Sequence, residues 1–201
     1  LGYVYSNIIL ESRISLNIVC DDLGYRAPIK AITPDWIGLY KPKEGTKKIT
    51  LDGNVVDMDY KFGEVAKHKI SEIHYQRNMA TSGVEIRLNG RVLEKNLLTE
   101  IWGVERHNKY NHFLATIDLK SDNPDYLPKT RTSKNGIRLG DKKLLDLFDW
   151  IKGVMKEPPE KTTGEFTEKE LINELKKNLE SHFINEDIQD FDVSTEREVY
   201  R

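Results

Sequence analysis

The segment GVEIRLNGRVLEK (83–95) constrains the fold more than any other stretch of the chain. Val84, Ile86 and Leu88 alternate with Glu85 and Arg87, and the run ends at Asn89-Gly90, a dipeptide suited to the positive φ angles of a two-residue hairpin turn. A chain with this hairpin contains a sheet, and other segments offer strands to it. HFLATIDLK (112–120) alternates Phe113, Ala115, Ile117 and Leu119. KKITLDGNVVDMDYKF (47–62) reads as a second hairpin about Asp52-Gly53-Asn54. In RISLNIV (13–19) the spacing of Ile14, Leu16 and Ile18 predicts a half-buried strand, and HKISEIHY (68–75) reads as another. The stretch 21–48 carries Pro28, Pro34, Pro42, Gly24, Gly38 and Gly45, which predicts extended, irregular chain.

Helical spacing appears at both ends of this strand-rich region. Leu1, Val4, Tyr5, Ile8 and Ile9 predict a helix over 1–12, and Leu144, Phe148, Ile151 and Met155 predict one after Asp141, its N-cap. Pro158-Pro159 ends that helix, and 156–166 has the composition of a linker. Thr167 and Glu170 then form a capping-box pattern, followed by Leu171, Leu175, Leu179 and Phe183 on one stripe of a charged helix. That stripe packs on its own domain or docks on a partner helix. The expected class is α+β, a mixed sheet with helices on one face plus a C-terminal helix.

Charge is uneven along the chain. The total is −2, but residues 1–156 carry 25 basic and 20 acidic side chains, whereas 157–201 carry 6 and 13. No apolar run approaches the ~18 residues of a membrane helix, and a single cysteine, Cys20, excludes a disulfide framework and suits a reducing, cytoplasmic setting. The chain begins Leu-Gly-Tyr and reads as a piece of something larger.

Familiar catalytic signatures are missing. The five histidines lack metal-ligand spacing, Cys20 sits in no motif, and there is no GxSxG, GxxxxGK[ST] or GxGxxG. Two patterns carry chemistry. Pro34-Asp35 with Asp59-Tyr60-Lys61 resembles a PD-(D/E)xK arrangement, in which carboxylates hold Mg²⁺ and a lysine orients the attacking water; period 2 lets Asp59 and Lys61 point the same way. Residues 120–143 hold seven Lys or Arg against three Asp, with Thr130, Thr132 and Ser133 among them. Hydroxyls, amides and ammonium groups are what a phosphate binds, and distributed cations equally suit a nucleic-acid backbone.

The order of elements over 1–152 resembles the exit from an ATPase domain of the gyrase, heat-shock-chaperone, histidine-kinase and MutL (GHKL) superfamily, in the style of its MORC-like and MutL-like branches. LGYVYSNIILESRISLNI is similar to the last ATPase helix passing into the first transducer strand. Gly83, Asn89, Gly90 and Arg91 match a "Gly-…-Asn-Gly-Arg" strand pair, HNKYNHFLATIDL resembles the next core strand, and LPKTRTSKNGI resembles the loop presenting a lysine to the ATP γ-phosphate. The resemblance implies 1–12 as the end of an ATPase domain, 13–156 as a ribosomal-protein-like transducer with an added hairpin region at about 20–75, and 157–201 as linker, helix and acidic tail. It implies Lys134 as the γ-phosphate lysine, Thr132 and Ser133 beside it, and Lys129 and Arg131 as alternatives. The nucleotide cradle itself has no counterpart here. ATP and Mg²⁺ would be held mainly by an N-terminal ATPase domain outside this chain, which alone would be inactive. Its own ATPase domain, a second copy in a homodimer, and DNA are the implied partners, with no membrane, in repair, restriction or defence. Two other readings stand beside it: a non-enzymatic nucleic-acid or protein binding module, and a Mg²⁺-dependent nuclease using Asp35, Asp59 and Lys61.

Overall fold

The computed structural model describes residues 1–11, 14–69, 73–133 and 136–160, apart from the side chains of residues 41 and 42. Five strands form one sheet: β3 (Trp36–Leu51), β4 (Asn54–Val65), β5 (Gly83–Leu88), β6 (Arg91–Glu94) and β7 (Phe113–Lys120). They lie in the order β3-β4-β7-β5-β6. All neighbours are antiparallel except β5 and β7, which pair in parallel from Gly83↔Leu114 to Leu88↔Leu119. A parallel pair needs a crossover rather than a tight turn, and the chain makes it through β6 and helix α2 (Leu98–Trp102). The sheet is therefore mixed and the class α+β, as the sequence predicts.

Both hairpins fall on the turn residues that demand them. Asp52 and Gly53 have φ of 46° and 78°, Asn89 and Gly90 of 50° and 82°, the pair of left-handed conformations a two-residue turn requires. Glycine at 90 has a second cause. A Cβ there would lie 2.9 Å from Ile8 Cγ1, so its absence lets the N-terminal segment lie across the turn.

Alternation sorts the sheet into two faces. Val56, Met58 and Phe62 of β4, Val84 and Ile86 of β5, and the odd-numbered residues of β7 share one face, against which helix α3 (Lys142–Val154) buries Leu144, Leu147, Phe148 and Ile151. Asp141 caps α3 as expected, its Oδ1 accepting from the Lys143 amide at 3.0 Å. Leu98 and Ile101 of α2 complete this face, and Trp102 Nε1 donates to the Met155 carbonyl at 2.9 Å, joining the two helices. The opposite face is also covered. Tyr3, Val65, Tyr75, Val92 and Leu114 form a smaller cluster there, under the N-terminal segment and helix α1 (Ser6–Leu10).

Four expectations need correction or relocation. The helix expected over 1–12 is confined to α1, because the Gly2 and Val4 carbonyls accept from the Ile32 and Val92 amides instead of from the next helical turn. The strand expected over 13–19 is β1 (Asn17–Cys20), paired with β2 (Tyr25–Pro28) in a separate two-stranded ribbon; Ile18 and Val19 are more than half exposed, not half-buried in a core. The stretch 21–48, expected to be irregular, holds β2 and most of the long strand β3, whose hairpin with β4 joins the main sheet through β4 against β7. HKISEIHY is not a strand over its described residues: the His68 amide donates to the Tyr75 carbonyl at 2.8 Å and Tyr75 has φ of 55°, which folds the segment back and carries the tyrosine beneath the sheet. The helix expected after Thr167, the acidic tail and most of the linker lie outside the described residues.

Candidate functional site

The basic segment after β7 is a closed loop on an anchored base. Leu127 and Pro128 are buried, Thr130 and Ile137 form an isolated antiparallel bridge, the Arg131 amide donates to the Gly136 carbonyl at 2.8 Å, and the Arg138 amide donates to the Lys129 carbonyl at 2.9 Å. Glu94 at the end of β6 secures this base. Its Oε1 accepts from the Ile137 amide at 2.7 Å and from Arg131 Nη2 at 3.2 Å. Glycine at 136 is what admits the carboxylate, since a Cβ there would sit 2.5 Å from Glu94 Oε1. On the other side Asp141 Oδ2 accepts from the Lys129 amide at 3.3 Å, so the cap of α3 also holds the loop. Thr132, Ser133 and Lys129 are exposed, and Arg131 is exposed while tied back to Glu94. Lys134 lies outside the described residues.

This arrangement holds backbone firmly near the bridge and turns hydroxyls and cations outward. Anchoring of the base limits the entropy that would be lost if the exposed side chains were to meet a ligand.

The second polar constellation lies on the sheet face beneath α1. Glu85, Arg87 and Asp118 are 1, 4 and 4% exposed. Glu85 accepts from Tyr3 Oη at 2.6 Å, from Tyr75 Oη at 3.2 Å and from Arg87 Nε and Nη2 at 2.7 and 2.5 Å. Arg87 Nη1 donates to Asn7 Oδ1, Asn7 Nδ2 donates to Asp118 Oδ2 at 3.3 Å, and Asp118 Oδ1 accepts from the Gly90 amide at 2.9 Å. Burial works against the Arg87 charge, but the Glu85 carboxylate outweighs it and raises the pKa. Burial raises that of Asp118, against the Gly90 and Asn7 hydrogen bonds. It raises the phenols of Tyr3 and Tyr75 too, reinforced by Glu85. Beside the network opens a pocket of about 110 Å³ lined by Asn7, Asp59, Lys61, Arg87, Thr116 and Asp118, among others.

The nuclease-like residues divide between places. Asp59 and Lys61 do share a face of β4 and line this pocket. Asp59 pairs with Lys120 at 2.7 Å and accepts from Thr46 at 2.7 Å; partial burial would raise its pKa, and these partners more than offset that and lower it. Lys61 is bound to Glu44 at 2.7 Å and lies over the Trp36 ring. Asp35 is elsewhere. It precedes Trp36, which pairs with Val65, about six residues and ~20 Å of strand from Asp59. Among the described residues no three His, Cys, Asp or Glu side chains form a group that would hold a metal ion, and no helix is long and apolar enough to cross a membrane.

Sequence reasoning missed Glu94, Glu85, Arg87, Tyr3 and Asn7. The available signal was the placement of two opposite charges, Glu85 and Arg87, within the best-defined strand of the chain.

Fold and site together define an α+β protein with a mixed five-stranded sheet, an anchored basic loop and a buried polar network under its N-terminal segment. No family model matches the chain, and no curated protein matches it.

Proposed function

We propose that the chain is the transducer segment of a GHKL-type ATPase, which senses the ATP γ-phosphate through Lys134 and relays nucleotide state to a downstream effector in DNA repair, restriction or defence. The observation that carries the reading is the loop: its base is fixed by Glu94 and Asp141, while the exposed Thr132 and Ser133 immediately precede Lys134 in sequence. A lysine next to such a base would be placed to meet a phosphate, and its ammonium would offset charge developing in phosphoryl transfer. ATP and Mg²⁺ would be bound chiefly by an ATPase domain preceding this segment, with Thr132 and Ser133 adding hydroxyls near the γ-phosphate. Closure of a homodimer would bring that domain and the loop together.

The test is ATP turnover by a protein that carries an N-terminal ATPase domain ahead of this chain. K134A is expected to lower turnover at least tenfold, while K129A leaves it within about twofold. Equal losses from both, or none from either, would overturn the reading.

The exposure of Lys129 and Arg138 beside the loop favours one other reading, a nucleic-acid binding module. It requires affinity for DNA that falls steeply with salt and that K129A and K134A weaken alike.

A further inference from the structure

Residues 1–11 touch the sheet in an unusual way. Three of their side-chain hydrogen bonds end on buried charge: Tyr3 on Glu85, and Asn7 on both Arg87 and Asp118. Two backbone bonds add to this, from the Ile32 amide to the Gly2 carbonyl at 3.0 Å and from the Val92 amide to the Val4 carbonyl at 2.9 Å. Apolar contact is concentrated at Tyr3, which is buried and stacks on His74, with Val4 partly buried against the same cluster, while Leu1 and Leu10 at the ends of the segment are exposed. Helix α1 has five residues and no side-chain cap, well short of the ~12–15 residues at which an isolated helix becomes even marginally stable.

We infer that residues 1–11 are a latch, docked on the sheet through the Tyr3–Glu85–Arg87–Asn7–Asp118 network and released as a unit without unfolding the sheet. An apolar seam resists opening because water gains nothing from the exposed surface. A seam built on a carboxylate, a guanidinium and a second carboxylate behaves otherwise. Water solvates those groups on opening, which returns the desolvation cost that docking imposed. Glu85 and Arg87 also remain paired to each other on β5 when the segment leaves, since both bonds between them are internal to the strand. The open state thus has no orphaned charge, and the closed state adds hydrogen bonds to charged groups that are lost together. Only the use of the latch, transmitting nucleotide state from a preceding ATPase domain, rests on the transducer reading; the latch itself does not.

Hydrogen exchange on the 201-residue chain tests it without nucleotide. The amides of Ile9, Glu11, Ile32 and Val92, whose acceptors belong to the segment, are expected to exchange at least about tenfold faster than those of β7 in the native chain. Tyr3→Phe and Asn7→Ala are each expected to speed these four by a further ten- to a hundredfold, the range for losing a hydrogen bond to a charged group, and to leave β7 unchanged. Exchange of the four amides at β7 rates in the native chain would overturn the latch. So would acceleration spread evenly over the sheet, or no acceleration in either variant.

Discussion

Arg87 and Glu85 stand two residues apart on β5 and meet at 2.5 Å, with side chains 5 and 2% exposed. Removing one partner of such a pair leaves the other charge buried, so Arg87→Met is expected to destabilise the chain by about 3–5 kcal/mol. Replacing both by apolar residues removes the buried charge and leaves only the neutral Tyr3, Tyr75 and Asn7 groups without these partners, so Glu85→Leu with Arg87→Met is expected to be less costly than Arg87→Met alone. Urea titration of the three variants checks this; a double variant at least as unstable as Arg87→Met would contradict it. Asp59 offers a pH counterpart. Its pKa is lowered in the folded chain against 3.8 unfolded, so it contributes stability above 3.8 that is lost as pH falls through the folded value. In an NMR titration Lys120→Ala should move the Asp59 midpoint upward, and an unmoved midpoint would show that Lys120 is not what holds it down. Period 2 placed Val84, Ile86 and Leu88 correctly, yet gave no sign that Glu85 and Arg87 are buried as well. Alternation shows that two faces differ, not that both are covered, and the second cover comes from residues 1–11 and Tyr75, which no local pattern joins to β5.

At the level of elements, legibility follows the range of the interactions. Helix α3 was readable because its cap and its stripe lie within its own 13 residues and the single residue on either side of them. The fold-back at 68–75 was not, because Tyr75 takes a left-handed φ without being a turn residue and its hydroxyl bonds to Glu85, outside the segment. The loop at 127–141 stands between these cases. Its basic composition was plain, but its closure depends on Glu94, 43 residues from Ile137. Glu94→Ala removes the acceptor of the Ile137 amide and of Arg131, which is expected to weaken loop closure by about 1–3 kcal/mol. Gly136→Ala should have a similar effect, since its Cβ cannot share the space of the Glu94 carboxylate. Both would appear as faster exchange at the Arg131 and Arg138 amides with α3 unaffected. Protection as in the native chain would mean that the Thr130↔Ile137 bridge closes the loop without Glu94.

Across the whole molecule, the edge strand β6 carries both of the features with functional promise. The Val92 amide is bonded to Val4 of the N-terminal segment, and two residues on, Glu94 holds the base of the basic loop. Val92 and Glu94 lie at alternate positions of one four-residue strand, and that strand has a sheet neighbour, β5, on one side alone. A displacement of β6 toward or away from β5 therefore changes both attachments, whereas β4 and β7 at the centre of the sheet are gripped by partners on each side. The N-terminal segment and the base of the loop are thus attached to the same short edge strand, two residues apart. The signature of this shared mount is non-additivity. Asn7→Ala loosens the segment and Glu94→Ala loosens the loop; independent attachments would give additive stability losses, and a shared mount should give a coupling of about 0.5–1 kcal/mol in a double-mutant cycle. The same double variant should raise exchange at Val92 above the product of the two single effects. A coupling indistinguishable from zero would leave β6 as two separate anchors and rule out the shared mount.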